Sequence, residues 1–566
     1  MQSRYLLFVF PALVFLSGSL AASEQTPDYA GVTPDGRGAV ATVQPRATEA
    51  ALAAYESGGN ALDAAVAAAL TLGVVDGHNS GIGGGIFALV HWADGSVEAV
   101  DGREQAPAKA HRDMYMVEGE YRPELSKKGP LAVGIPGSIL AYDYLLDKGG
   151  EHKLARHLNQ AADLADAGFA IDGIFARRLE RHAADLREFS GTAGIFLDPQ
   201  GQPWPVGHRL RQTDLARTYR AIAEQGPAYF YRGGFALAVG NWMAEHGGLV
   251  RAEDFAHYQM KRFEPVVSEY RGYKIYGYPP PSSGGVHVAQ ILNILGQFEP
   301  GEMSEVDRYH LLAEAMKLAF ADRAYWLGDP AFAEVPKGLV DPEYAAHLAG
   351  RISLDKALEV EGHSTPPRAQ EELFGKHTTH IATADSAGNW VAITATVNTN
   401  FGSKVVVPGT GVILNNQMDD FSAQPGEPNA YGLIGAEANS IEPGKRPLSS
   451  MSPTIVTRNA KPVLTLGAAG GPTIITQVVQ ALVNYIDLGL PLEEALVMPR
   501  VHHQWRPQSL FLEKTHVDPV RDALREKGHE LRQLGDFGST QAIGLDKRGR
   551  FVPVAEPRLE ERNQLD

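Results

Sequence analysis

The sequence predicts an α+β protein: a four-layer α/β/β/α sandwich with antiparallel strands inside and helices outside. Three observations lead there. Helical segments punctuated by glycine dominate the chain up to about Leu358. From Thr378 onward the pattern changes to period-two alternation, the mark of strands. Between the two blocks, Gly362 to Lys376 reads as a polar, helix-poor segment, so the change of character falls at Lys376-His377-Thr378-Thr379-His380-Ile381.

The first residues, MQSRYLLFVFPALVFLSGSLAASEQ, combine a short positive region at Arg4, an apolar run from Leu6 to Leu16, and small residues at Ser19 and Ala21. The run is too short for a comfortable membrane span. It reads as a secretory signal peptide over residues 1–21, with an uncleaved anchor as the alternative. The expected location is periplasmic or secreted, with no stable membrane anchor. The 566 residues include no cysteine, which excludes disulfides, a lipidated N-terminus, thiolate catalysis, zinc–thiolate sites and iron–sulfur clusters. A formal net charge of −16 argues against nucleic acid as a partner, because phosphate binding needs clustered Lys and Arg. Small anionic substrates need only one or two placed cations. Hydrophobic residues at 44% allow a sizeable core.

Residues 22 to about 39 are polar and rich in Gly and Pro and read as a leader that orders late. Thr48 to Tyr55 reads as a helix with Thr48 as N-cap, closed by Gly58-Gly59; Asn60 then caps an Ala-rich, buried helix over Ala61 to Leu72. Gly81-Ile82-Gly83-Gly84-Gly85 precedes a strand, Ile86 to His91, the wrong order for a dinucleotide fingerprint. It reads as a tight turn where backbone passes close to backbone. Val100 to Pro107 ends another strand. A long helical region runs from about Pro136 to Phe320, with stops at Gly149-Gly150, Gly168 and Gly226; it is interrupted once, by strand-like Arg271 to Tyr278 and the fixed loop Pro279-Pro280-Pro281-Ser282-Ser283-Gly284-Gly285, and helices resume until about Leu358. Beyond the boundary, Thr378 to Asp385 and Asn389 to Val397 form a hairpin across Ser386-Ala387-Gly388. Thr454 to Thr457 and Pro462 to Leu466 form a second, across Arg458-Asn459-Ala460-Lys461. Gly470-Gly471-Pro472 opens a helix, Thr473 to Asp487; Pro491 to Met498 reads as another helix and Leu510 to Glu513 as a strand.

Chemistry gathers around Thr378. Threonine is a poor nucleophile without a base, but cutting the peptide bond before it frees an α-amine within reach of its own hydroxyl. Thr394, Thr396 and Asn398 share one face of the neighbouring strand by the period-two rule, so a hydroxyl from that face can reach the Thr378 Oγ; strand threonines are also simply good β-formers. Asn415-Asn416-Gln417-Met418-Asp419-Asp420-Phe421 offers the acceptors an ammonium group needs, with an ordinary polar loop as the equal alternative. Arg446 to Pro453 is a Pro-bounded loop with three hydroxyls. Gly470-Gly471 at a helix start puts unpaired N–H groups and the positive dipole end where an oxyanion can approach closely, although most helix starts hold no ligand.

Thr378-Thr379-His380, Gly388-Asn389-Trp390-Val391-Ala392, Thr394-Ala395-Thr396-Val397-Asn398 and Phe401-Gly402 together closely resemble the signature of the γ-glutamyltransferases, also called glutathione hydrolases, which are N-terminal-nucleophile hydrolases. Arg103 to Pro107, Pro279 to Gly285, Asn415 to Ser422 and Arg446 to Pro453 also resemble that family, in family order over nearly the whole mature chain. The resemblance implies a precursor that cuts itself between His377 and Thr378. The pieces, a large subunit over 22–377 and a small one over 378–566, would remain together as a heterodimer. It implies Thr378 as nucleophile, Thr396 polarising its hydroxyl, and Gly470 and Gly471 as oxyanion donors. Arg103, Ser449 and Ser450 would hold a substrate α-carboxylate; Asn398, Gln417 and Asp420 would hold its α-ammonium. Donors would be glutathione and related γ-glutamyl compounds, acceptors water, amino acids or peptides, with no cofactor. Residues 423–439 resemble a lid loop with Tyr431 as its gate.

The chain departs from the family pattern at Ala382, at Thr383 and at Asp76-Gly77-His78. Neither histidine pattern suggests a metal: His502-His503 are adjacent, and His529-Glu530 lacks a second histidine, so both read as surface or structural. One rival is an acylase on the same fold, acting on glutaryl or β-lactam side-chain amides, which would need the carboxylate grip without the ammonium grip. Another is an exported binding protein that never matures.

Overall fold

The computed structural model describes residues 28–366, 379–424, 426–534 and 539–559. The signal-peptide stretch, His377 and Thr378 lie outside the described residues. Two sheets stack at the centre. The first has seven strands in the order Ala30–Val32, Gly38–Ala41, Thr379–Asp385, Trp390–Thr396, Gly85–His91, Val97–Gly102, Lys261–Phe263, every neighbour antiparallel. The second has six, Val266–Tyr270, Tyr273–Gly277, Thr454–Arg458, Lys461–Ala468, Thr540–Leu545, Phe551–Val554, again antiparallel throughout.

Strand alternation sorts the side chains by layer. Ile381, Val391, Ile393 and Ala395 share a core with the helices Pro45–Glu56 and Ala61–Val75. Ala382, Ala384, Trp390 and Ala392 point the other way and meet Met451, Ile455 and Ile543 between the sheets. Helices Gly284–Leu295, Glu305–Trp326 and Thr473–Ile486 cover the outer face of the second sheet. This is the α/β/β/α order that the alternation predicts. Among the described residues no helix is long and apolar enough to cross a membrane.

Local chemistry explains several boundaries. Asn60 accepts from the N–H groups of Leu62 and Asp63, and Asp63 accepts from the Asn60 N–H, closing a capping box on a helix that runs on to Val75. Asn459 and Ala460 both take left-handed φ, +52° and +60°, the geometry of a two-residue turn matched to strand twist. The Gly83-Gly84 turn is where backbone meets backbone: a Cβ on Gly84 would lie 1.8 Å from the Thr396 carbonyl oxygen, and one on Gly83 2.0 Å from that of Ile413.

Several expectations need correction. The first helix begins at Pro45 with Gln44 as N-cap; Thr48 lies inside it and donates to the Tyr29 carbonyl. The leader is not late-ordering beyond residue 28: Ala30–Val32 and Gly38–Ala41 are strands, and the second pairs directly with Thr379–Asp385. Strands of three and four residues are too short to show alternation. The helical region is interrupted more than once, because Lys261–Phe263 and Val266–Tyr270 are edge strands of different sheets, joined only by Glu264-Pro265. No α-helix follows Ala349 until Thr473 among the described residues. Thr540–Leu545 and Phe551–Val554 complete the second sheet without having been anticipated.

Candidate active site

The first described residue at the boundary, Thr379, begins a strand buried on both faces and paired on both edges. Its side chain turns toward the helical layer, where Oγ1 donates to Asp76 Oδ2 at 3.4 Å. Burial pushes the Asp76 carboxyl up to about 8 and the adjacent His78 imidazole down to about 3, so burial favours the neutral form of each. Asp76-Gly77-His78, one of the departures from the family pattern, therefore packs as a neutral polar group behind the strand. His380 turns the other way. Its Nδ1 lies 3.0 Å from Thr394 Oγ1, and its ring covers Gly467, where any Cβ would clash. Thr394 thus serves His380. The Lys461–Ala468 strand is held here against the start of the Thr379 strand, and Gly470-Gly471 follow directly.

Thr396 Oγ1 accepts the Asn398 N–H at 2.7 Å. Asn398 lies beyond the strand end, at φ +78°, rather than on the strand face. Its amide donates to the Asn416 carbonyl at 2.9 Å, and its Oδ1 accepts from the Tyr431 hydroxyl at 2.9 Å. Asn416 leads into the 3₁₀ turn Gln417–Asp420, where Gln417 Nε2 donates to Asp420 Oδ2 at 2.8 Å.

The same Asp420 oxygen accepts from Arg103 Nη2 at 2.7 Å, and both side chains are fully buried. Arg103 Nε donates to the Pro447 carbonyl at 3.2 Å, which fixes the guanidinium beside the loop carrying Ser449 and Ser450. Among the described residues, Arg103 Nη1 makes no hydrogen bond. The loop is clamped from two sides. Arg446 pairs with buried Asp101, and Ser283 Oγ donates to the Ser449 carbonyl at 2.8 Å while lying 3.4 Å from Ser450 Oγ. The Pro279 to Gly285 loop therefore shapes the Ser449-Ser450 loop from beneath.

Gly470 and Gly471 both adopt positive φ, +127° and +68°, ahead of the Thr473–Ile486 helix. Thr473 Oγ1 turns back to the Gly470 carbonyl at 2.6 Å, leaving that loop's shape set by its own first helical turn. Arg103, Gln417, Asp420, Asn398, Thr396, Tyr431, Ser449 and Ser450 thus form one hydrogen-bonded neighbourhood. Gly470-Gly471 lie two residues beyond the end of the Lys461–Ala468 strand, whose Gly467 packs against the His380 ring.

Two residues in this neighbourhood were not singled out from the sequence. Glu104 is fully buried with its Oε2 3.6 Å from Arg103 Nη1, and burial pushes it up to about 7 against the pull of Arg103. Its place directly after Arg103 was the available signal. Arg323, from the Glu305–Trp326 helix, donates to Ser283 Oγ at 3.2 Å; burial disfavours its charge and Asp420 favours it. Its distance in sequence gave no signal. His502 and His503 are both buried and hence structural, His502 bridging Thr476 and Gln504.

A family model described as Gamma-glutamyltranspeptidase matches residues 47–565. The "Glutathione hydrolase proenzyme" of Escherichia coli (strain K12) is 40% identical over 527 residues, covering 92% of this chain and 90% of that protein. The solved cephalosporin acylase from Bacillus halodurans is similar with a TM-score of 0.84 and 31% identity, over 97% of this chain and 98% of that one. The Helicobacter pylori gamma-glutamyltranspeptidase gives a TM-score of 0.54 at 36% identity, over 58% of this chain and 93% of that one. With the match running from the first helix to the C-terminus and the sandwich in place, the chain belongs to the gamma-glutamyltranspeptidase family.

Proposed function

We propose that the chain is a self-processing γ-glutamyl acyltransferase and hydrolase that takes glutathione and related γ-glutamyl amides as donors. The observation that carries this is the buried Arg103–Asp420 pair. A cation with one free N–H edge, held against an anion, suits the α-carboxylate and α-ammonium of one zwitterionic substrate end. The substrate brings in as much charge of each sign as it meets, so the desolvation of both is offset locally. Arg103 with Ser449 and Ser450 takes the carboxylate; Asp420 with Gln417 and Asn398 takes the ammonium.

Those two anchors fix the γ-carbonyl for attack by Thr378 Oγ, the nucleophile released by cleavage after His377. The Thr378 α-amine accepts the hydroxyl proton. Thr396 Oγ1 already accepts from Asn398 N–H, so its own proton is left to donate to the Thr378 oxygen. The N–H groups of Gly470 and Gly471 receive the oxyanion. Collapse breaks the C–N bond, with the amine leaving on the proton the Thr378 amine returns. The γ-glutamyl ester then passes to water, giving glutamate, or to an amino acid or peptide amine. Tyr431, bonded to Asn398, closes the pocket from the lid side.

The similarity to a cephalosporin acylase favours a second reading, an acylase for side chains that lack the α-amine. One experiment separates them. The purified protein is run on a denaturing gel, the small fragment is sequenced from its N-terminus, and turnover of a γ-glutamyl anilide is compared with that of its glutaryl analogue. A fragment starting at Thr378 with strong preference for the γ-glutamyl compound is expected. Equal turnover would establish the acylase, and a single uncut band would establish a binding protein.

A further inference from the structure

We propose a second, non-catalytic site on this chain: a transition-metal site formed by His310, Glu314 and His529. His310 and Glu314 stand one turn apart on the Glu305–Trp326 helix, the spacing that aims two side chains in one direction. His529 comes from the turn after the Asp518–Glu526 helix. The fold thus supplies the second histidine that the sequence around His529 lacks. Its Nε2 lies 2.7 Å from His310 Nδ1 and 3.9 Å from Glu314 Oε1, and the three ligand atoms all fall within 4.8 Å of one another. All three residues are buried.

The surroundings support ligation. His310 Nε2 lies 2.8 Å from the Ser353 carbonyl, which can only accept a hydrogen bond, so Nε2 carries the hydrogen and the Nδ1 lone pair faces His529. A backbone carbonyl on the far ring nitrogen is the usual support for a metal-bound histidine. Glu314 is held by the Leu358 N–H at 2.8 Å on its other oxygen. A cavity of about 220 Å³, lined by Lys317, Leu358, His503 and His529 among others, opens beside the cluster and leaves room for a water as fourth ligand. Two imidazoles and one carboxylate suit zinc, nickel or copper rather than magnesium or calcium.

Binding needs two adjustments. The proton that His529 Nε2 shares with His310 Nδ1 moves to His529 Nδ1, freeing both lone pairs. The two nitrogens then open to roughly 3.3 Å, the span of two ligands about 2.05 Å from a tetrahedral ion. Lys317 opposes the ion: its ammonium donates to Glu314 Oε1 at 2.8 Å and to the Leu358 carbonyl at 2.7 Å. It therefore sets the affinity.

The test uses full-length purified protein stripped with a chelator and titrated with zinc(II) against a chromophoric competitor, with cobalt(II) as the spectroscopic probe. One equivalent per chain is expected, with visible cobalt bands of a four-coordinate site. His529→Gln should weaken zinc binding at least tenfold and abolish the bands. Lys317→Gln should tighten binding at least tenfold, and because it strengthens rather than removes binding it cannot be mistaken for misfolding. Absence of a saturable equivalent, affinity unchanged in His529→Gln, or weaker binding in Lys317→Gln would each overturn the proposal.

Discussion

Replacing Gly84 by alanine tests whether the end of the Trp390–Thr396 strand positions the chemistry. Gly84 lies outside the left-handed φ region, so alanine meets no left-handed backbone strain there. The whole effect comes from the added methyl, which would sit 1.8 Å from the Thr396 carbonyl oxygen. That oxygen, or Gly84 itself, must retreat by about 1.2 Å before the contact reaches even 3.0 Å. Gly84 is tethered by Ser138 Oγ, which donates to its carbonyl at 2.7 Å, so much of the shift falls on Thr396 and on the Asn398 N–H that its hydroxyl holds. Overpacking of this kind costs about 1–3 kcal/mol. A displacement of about 1 Å beside the reacting atoms lowers the rate by roughly two orders of magnitude. The assay is kcat/KM on a γ-glutamyl anilide together with the fraction of precursor cut, read from a denaturing gel. Gly194→Ala is the control: that glycine lies in the Ser190–Phe196 helix, and a methyl added there would have nothing within 4 Å, so activity and processing should be unchanged. A folded Gly84→Ala protein that cuts itself as wild type and keeps kcat/KM within about twofold would refute the positioning role.

Thr378→Ala should leave an uncut, inactive precursor; a cut alanine variant would sink the autocatalytic scheme. Tyr431→Phe removes one hydrogen bond to Asn398 and should raise KM by roughly 2- to 12-fold, the equivalent of about 0.5–1.5 kcal/mol, with a smaller change in kcat. Asp76 gives a pH dependence of stability. Burial raises its carboxyl from 3.8 to about 8 in the fold, so between those values the folded state keeps a proton the unfolded state has released. Its contribution to stability is full below about pH 3.8 and is lost as pH rises through about 8. Asp76→Asn should therefore raise Tm more at pH 8 than at pH 5, and an equal shift at both would show that Asp76 is ionised in the fold.

What could be read from the sequence was what short-range physics dictates. The two hairpins, the Asn60 cap and the Gly470-Gly471-Pro472 helix start each depend on neighbours within a few residues, and each is where the pattern put it. Ala30–Val32, Gly38–Ala41 and Lys261–Phe263 were hidden because three or four residues cannot display a period. They become strands only because longer strands offer them an edge. The Gly83-Gly84 turn was readable as a close approach, but not that Thr396 was the backbone approached. Asp420 and Arg103 were each visible as polar groups within a motif. Their direct pairing, the burial of Glu104 and the reach of Arg323 toward Ser283 are products of tertiary folding and leave no local trace. His310 and His529 illustrate the same limit, since neither is a plausible ligand until the helix and the turn meet.

The strand order has a consequence for any cut ahead of Thr379. The two pieces would not be domains lying side by side. In the first sheet the later piece contributes Thr379–Asp385 and Trp390–Thr396, flanked by strands of the earlier piece on either side. In the second sheet, Val266–Tyr270 and Tyr273–Gly277 of the earlier piece extend four strands of the later one. Parting the pieces would tear both sheets and expose raw edges that pair with anything available. Separation and unfolding are therefore the same event. The thermal midpoint should fall on dilution, as for any two chains that part only on unfolding, and two processed preparations mixed together under native conditions should not exchange partners.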